Sequence, residues 1–217
     1  MTTRPAAGGR KAEAARNNRT VLNAAREVFF EQGFDAPMSA IAERAGVGMG
    51  SLYRRYPSKE VLARHLCTIS MEGTLAAAER ALAEESSGWS ALVRFITESL
   101  ECGMGALSGF AGSFPVTQAM IDLSEQGANA MQEILTRAAA EGSVRPDLTP
   151  GDLVYLLKLL ATKTTPDPAR TTELRPRYLT IVLDGLRPTP TPLPAPAPTW
   201  PEIAARWGPA TDLPEDL

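Results

Sequence analysis

Residues Ala36 to Leu62 read APMSAIAERAGVGMGSLYRRYPSKEVL, and this stretch decides the architecture. Met38, Ile41, Ala42 and Ala45 recur at i, i+3, i+4 and i+7, which gives a first short helix one apolar stripe. Gly46 stands where a helix stop needs positive φ, and Val47 follows as the apolar contact beyond it. Gly48 serves as N-cap of a second helix, Met49 to about Arg54, with Leu52 as its best inward anchor. Met49, Ser51, Tyr53, Arg54 and Arg55 are left facing outward. Pro57 ends that helix and Ser58 caps the next. A short helix that buries little of itself and carries two arginines and a tyrosine outward has the form of a recognition helix.

Working outward, Ile41-Ala42-Glu43-Arg44-Ala45-Gly46-Val47, Gly50-Ser51-Leu52-Tyr53 and Tyr56-Pro57-Ser58-Lys59-Glu60 stand in a fixed order. Together with Ala24-Ala25, Phe29 and Gly33-Phe34 upstream, they resemble the helix-turn-helix signature of TetR-family transcriptional regulators, over about residues 17 to 62. The resemblance implies an all-α fold: an N-terminal three-helix DNA-binding domain followed by a C-terminal helical domain for ligand binding and dimerisation. The chain then divides into a basic flexible arm (1–15), the helix-turn-helix domain (16–60), the helical body (61–187) and a Pro-rich tail with a short terminal helix (188–217). Pro37 departs from the family pattern, which usually has a capping Thr there, and Gly48 and Met49 replace a Ser and often a Lys. These departures bear on phosphate contacts at Pro37 and Met49, not on the fold.

The 217 residues are 44% hydrophobic, enough for one or two domains with a core. No apolar run reaches the length of a membrane span. The basic start of the chain lacks the apolar segment of a secretory signal, so a cytoplasmic protein is expected. Cys67 and Cys102 have no metal spacing and read as reduced core thiols; no metal, cofactor or catalytic residue is expected. Net charge is −3, but residues 1–66 carry eleven Lys/Arg against six Asp/Glu, while the remainder carries eleven against nineteen. A basic front on an acidic body suits a protein that lays one end on a polyanion.

Arg4, Arg10, Lys11, Arg16 and Arg19 belong to the arm and the start of helix 1, which is expected from about Asn17 to Gln32. Leu22, Phe29, Phe34, Ile41, Ala45, Val47, Leu52, Tyr56 and Leu62 are the expected core of the first domain. A long helix from Ser58 to about Ala83 joins the two domains, with His65, the single histidine, on its apolar edge. His65 reads as a packing residue between domains, or as a ligand contact or pH sensor. Further helices are expected over Gly88–Gly103, Gln126–Glu141, a segment opened by the capping set Thr149-Pro150-Gly151-Asp152, and Glu173–Gly185. Between Gly103 and Met120 the glycines read as a broken, adjustable segment. Seven prolines in residues 188–201 read as a polyproline spacer, and Thr199 to Glu202 as a capping box. Trp200, Ile203 and Trp207 share a face, so this terminal helix is expected to dock on the body or a dimer mate.

Candidate contacts to double-stranded DNA are Arg16, Arg19, Ser39, Met49, Gly50, Ser51, Tyr53, Arg54, Arg55 and Lys59. Arg19, Tyr53, Arg54 and Lys59 suit phosphate; Met49, Gly50 and Ser51 suit the major groove; Arg55 suits guanine if turned inward. The resemblance implies a small-molecule effector in the second domain. Met71, Phe95, Ser99, Cys102, Met104, Phe110, Phe114, Gln118, Met120 and Met131 are the candidate lining, with soft Met and Phe equally readable as core filler. The late apolar helices suggest a homodimer through Leu156, Leu160, Tyr178, Ile181, Val182 and Leu186, with intrachain core as the other reading. The expected function is a DNA-binding regulator, most often a repressor released by a ligand in this family. The alternative is a helical adaptor, or a regulator without a ligand, that acts through protein partners and its Pro-rich tail. An enzyme is disfavoured: one histidine, no phosphate-binding glycine loop and no metal spacing leave nothing to run a reaction.

Overall fold

The computed structural model describes residues 7–211; the side chains of residues 7–15 and of Ser108 fall outside the description. Arg4 therefore lies outside the described residues, as do the side chains of Arg10 and Lys11. The described chain is helical, apart from an isolated bridge between Val116 and Ala210. Its contacts divide it into two units, meeting at Leu66 and Cys67.

The first unit is built from α1 (Ala7–Gln32), α2 (Met38–Ala45), α3 (Met49–Arg55) and the opening of α4 (Lys59–Glu84). Helix α1 starts ten residues before the expected Asn17, so residues 7–16 are helical rather than a flexible arm. The run Arg10-Lys11-Ala12-Glu13-Ala14-Ala15-Arg16 consists of strong helix formers, and it continues the register of α1. The buried face of α1 is Val21, Ala25, Val28 and Phe29, with Leu22 half-buried beside it. Gly46 closes α2 at φ 64, where only glycine avoids a steric penalty; its N–H donates to Glu43 O at 3.1 Å and that of Val47 to Ala42 O at 3.0 Å. Arg44 of α2 donates to Glu31 (2.7 Å) and Glu27 (3.1 Å), which fastens α2 against α1. Pro37 opens α2 without a side-chain cap. Gly48 opens α3 the same way, its carbonyl accepting from Ser51 and Leu52 N–H. Ser58 opens α4, its hydroxyl accepting from Val61 N–H at 3.3 Å. His65 packs its ring 5.8 Å from that of Tyr56.

The second unit comprises the rest of α4, α5 (Gly88–Glu101), α6 (Gln118–Ala140), α7 (Pro150–Ala161), α8 (Pro168–Gly185) and α9 (Trp200–Ala204). Its core gathers Ala78, Ala81, Leu92, Phe95, Ile96, Met131, Ile134, Leu153 and Leu157. Ser87 and Thr149 cap α5 and α7 in reciprocal capping boxes, Thr149 with Asp152 as expected. Gly88 passes so close to α6 that a Cβ there would lie 2.4 Å from Ala138 N. Between α5 and α6 the chain is irregular, with one 3-10 turn over Ala106–Phe110 and positive φ at Gly103, Gly105 and Gly112.

Two helices begin earlier than expected. Helix α6 starts at Gln118, not Gln126, because Thr117 caps it by accepting from Met120 N–H (3.3 Å), and Gln118 reaches Asp122 one turn on. Helix α8 starts at Pro168, not Glu173, with Asp167 accepting from Ala169 N–H (2.9 Å) and the proline at N1, where no donor is missed.

The Pro-rich segment is exposed but pinned. Arg145 donates to Thr191 O (2.8 Å), and Asp147 accepts from Leu193 N–H (3.0 Å) while paired to Arg145 at 2.6 Å. Those hydrogen bonds, the Arg145 one foremost, hold the Asp147 carboxyl down at about 2, so the clamp stays ionised at ordinary pH. The expected capping box at Thr199 and Glu202 forms.

Candidate functional site

In the first unit, α3 buries a single side chain, Leu52 (1% exposed). Tyr53 (45%) and Met49 (38%) are among the most exposed large apolar side chains of the described residues, and Gly50, Ser51 and Arg54 are exposed beside them. A Cβ built on Gly50 meets nothing within 4 Å, so this face of α3 is open. Arg16, Arg19 and Ser39 are exposed on α1 and α2. Two candidates are otherwise engaged. Arg55 donates to Asn18 Oδ1 (3.2 Å), the oxygen that also accepts from the Tyr56 hydroxyl (2.8 Å), so it ties α3 to α1. Burial pushes the Tyr56 hydroxyl above its usual pKa and keeps it a neutral donor in that knot. Lys59 is half-buried, with its ammonium 4.7 Å from the centroid of the Phe34 ring.

The second unit holds a cavity of about 230 Å³. Helix α4 contributes Cys67, Ser70, Met71 and Thr74; the irregular segment contributes Met104, Leu107 and Val116; α6 contributes Met120, Ile121 and Met131. Trp200, Ile203, Arg206 and Trp207 complete it. Burial pushes the Cys67 thiol up to about 12, so it acts as a small apolar group rather than a nucleophile.

Residues 21–66 match the family model for bacterial regulatory proteins of the tetR family, and residues 87–188 match the model for the C-terminal domain of SbtR-like transcriptional regulators. The crystal structure of the TetR transcriptional regulator SCO0520 from Streptomyces coelicolor is similar at 30% identity, over 79% of this chain and 98% of that one, with a TM-score of 0.54. The chain belongs to the TetR family. A TetR regulatory protein from Mycobacterium vanbaalenii is similar at 27% identity, over 82% of this chain and 98% of that one, with a TM-score of 0.55. The HTH-type transcriptional regulator UidR of Escherichia coli (strain K12) is 40% identical over 65 residues, 30% of this chain and 33% of that protein. The chain thus matches about a third of the length of that curated relative.

As a TetR-family member, the protein is a DNA-binding transcriptional regulator and not an enzyme. No helix among the described residues is long and apolar enough to cross a membrane. The stretch that matches the family signature is the one that leaves α3 uncovered. One consequence is measurable at Met49. Met49→Lys is expected to tighten binding to any duplex and to steepen its salt dependence by about one unit per copy. Unchanged affinity in a gel-shift titration would remove Met49 from the surface that meets DNA.

The cavity calls for corrections. Of the candidate lining residues, Met71, Met104, Met120 and Met131 border the cavity. Phe95 does not: it is fully buried inside the core with Leu92 and Ile134. Ser99, Cys102, Phe110, Phe114 and Gln118 are also absent from the lining. Ser99 is fully buried, Cys102 sits where a Gly73 Cβ would meet its sulfur at 2.9 Å, Phe110 is buried, and Gln118 faces out to Asp122. Phe114 is buried, its ring tilted against that of Trp207 at 6.0 Å. Helical spacing told which residues turn inward, but not whether inward meant core or cavity. Ser70, Thr74 and the wall from Trp200 to Trp207 were missed. The shared face of Trp200, Ile203 and Trp207 was the available signal; it pointed to docking, without naming what lies beneath.

The two late helices divide likewise. Leu160 and Leu186 are buried in their own chain's core, and Leu156 and Val182 pack against it. Tyr178 (43%) and Ile181 (58%) remain exposed on α8, and Tyr155 and Leu159 (67%), not anticipated from sequence, are exposed on α7.

Proposed function

We propose that this TetR-family regulator is a repressor. It would act as a homodimer that holds a two-fold operator and leaves it when a small molecule occupies the second-unit cavity. The observation that carries this reading is the membership of α4: Cys67, Ser70, Met71 and Thr74 line the cavity, while Lys59 opens the same unbroken helix in the DNA-binding unit. A helix of 26 residues is about 39 Å long at 1.5 Å per residue, and its residues fall in both units. A ligand that fits only one placement of α4 shifts the operator equilibrium by its differential affinity, typically about 1–3 kcal/mol.

Apolar side chains supply the dimer face. Tyr155, Leu159, Tyr178 and Ile181 are large, exposed and carried by α7 and α8, which contact each other. A two-fold dimer sets two copies of α3 on successive major-groove faces about 34–36 Å apart. Ile181→Asp places a charge in that face, and sedimentation should show the dimer dissociation constant raised by about tenfold or more. A dimer of unchanged affinity would move the interface elsewhere.

Selection from random duplexes, followed by titration against salt, tests the whole reading. The expected result is an inverted repeat whose affinity falls steeply with salt. Recovery of a single half-site would remove the dimer, and salt-insensitive binding would remove the phosphate contacts. The Pro-rich adaptor reading gains little, because the segment is clamped to Arg145 and Asp147.

A further inference from the structure

The segment beyond α8 is fastened to the second unit by more than its prolines. Gly151 lacks a side chain where the segment crosses α7: a Cβ there would lie 2.4 Å from Pro198 O and 3.2 Å from Ile203 Cδ1. Trp207 packs its ring, tilted, against Phe114 at 6.0 Å, and Thr211 N–H donates to Val116 O at 2.8 Å. The Arg145–Asp147 clamp holds the other end. Prolines between these anchors restrict the unbound chain and so lower the entropy lost on docking. Trp200, Ile203, Arg206 and Trp207 are thereby held in the lining of the cavity.

We propose that α9 and the residues after it form the specificity wall of the effector site, and that this site takes an uncharged, predominantly apolar small molecule bearing a hydroxyl or amine proton. This rests on the ligand reading above and names its chemistry. Four methionines and two tryptophans give the lining a soft, polarisable surface that adapts to a bulky apolar body. Charge balances: among the described lining residues stand one carboxylate, Glu125, and one guanidinium, Arg206, so neither sign of ligand is favoured. Thr74 is buried and donates its proton to Ser70 O at 2.8 Å, which leaves its oxygen as an acceptor for a ligand N–H or O–H.

The test uses the full chain and two probes with one skeleton. N-phenyl-1-naphthylamine is neutral and carries an amine proton; 8-anilinonaphthalene-1-sulfonate adds a negative charge. The neutral probe should bind saturably and light up on tryptophan excitation. Trp207→Ala and Ile203→Asp should each weaken it by about tenfold or more. Gly151→Leu, outside the cavity, should do the same by lifting Pro198. Trp89→Phe, which alters the remaining tryptophan, should change nothing. Circular dichroism and salt-dependent DNA binding confirm that each variant is folded. Unchanged probe affinity in folded wall variants would overturn the wall but leave the ligand reading standing. Equal or tighter binding of the sulfonate would overturn the uncharged class. No saturable binding to the unsubstituted protein would overturn both this inference and the ligand reading.

Discussion

Replacing Arg16, Arg19 and Arg54 together with alanine should lower affinity for duplex DNA by about 10³-fold near 0.1 M salt. All three are exposed, Arg16 and Arg19 on α1 and Arg54 on α3. Each phosphate contact releases counterions and contributes about 0.9 to the slope of log K against log salt. Three residues in each half of the proposed dimer make six contacts, so the slope should flatten by about five. The expected affinity loss is smaller than full removal of six contacts, since neighbouring cations rearrange toward the phosphates. Because no buried group is touched, the thermal melt should not move. A variant that melts normally and keeps its salt slope would show that these arginines do not meet the backbone.

Leu52→Ala should have the largest effect on stability. Helix α3 has seven residues and is held inward by this one fully buried side chain, aided by the hydrogen bonds of Arg55 and Tyr56 to Asn18. Truncating a buried leucine costs about 2–5 kcal/mol when the surroundings cannot collapse. A unit of roughly 60 residues has little reserve, and its melting point falls by about 4–8 °C per kcal/mol. The DNA-binding unit should therefore melt at least about 8 °C lower, and DNA affinity should vanish at temperatures where the second unit keeps its helicity. Leu52→Met, of similar volume, should cost less than about 1.5 kcal/mol. A Leu52→Ala melt that coincides with the unsubstituted one would mean that α3 is held by something other than this anchor.

The first unit was legible because its signals are local. Apolar spacing around Ile41, the left-handed stop at Gly46 and the cap at Ser58 act within one or two helical turns, and all appear as read. Helix starts failed where a cap was overlooked: Thr117 and Asp167-Pro168 open α6 and α8 earlier than the apolar period alone suggests. The start of α1 failed differently, since a basic, small-residue run was read by its charge rather than its helix propensity.

By itself the sequence determined the all-α class, the outward-facing helix α3 and its Leu52 anchor, the exposed cations and the shared face of Trp200, Ile203 and Trp207, since each follows from neighbours along the chain. Only the tertiary structure decided which inward residues surround empty space. Phe95 and Met131 carry the same helical signature and both belong to the core, yet of the two only Met131 also borders the cavity, as does Trp207 from the far end of the chain. Periodicity assigns a side chain to a face of its helix. Whether that face meets packed atoms or a void depends on segments distant in sequence, here the Pro-rich strap lying over Gly151.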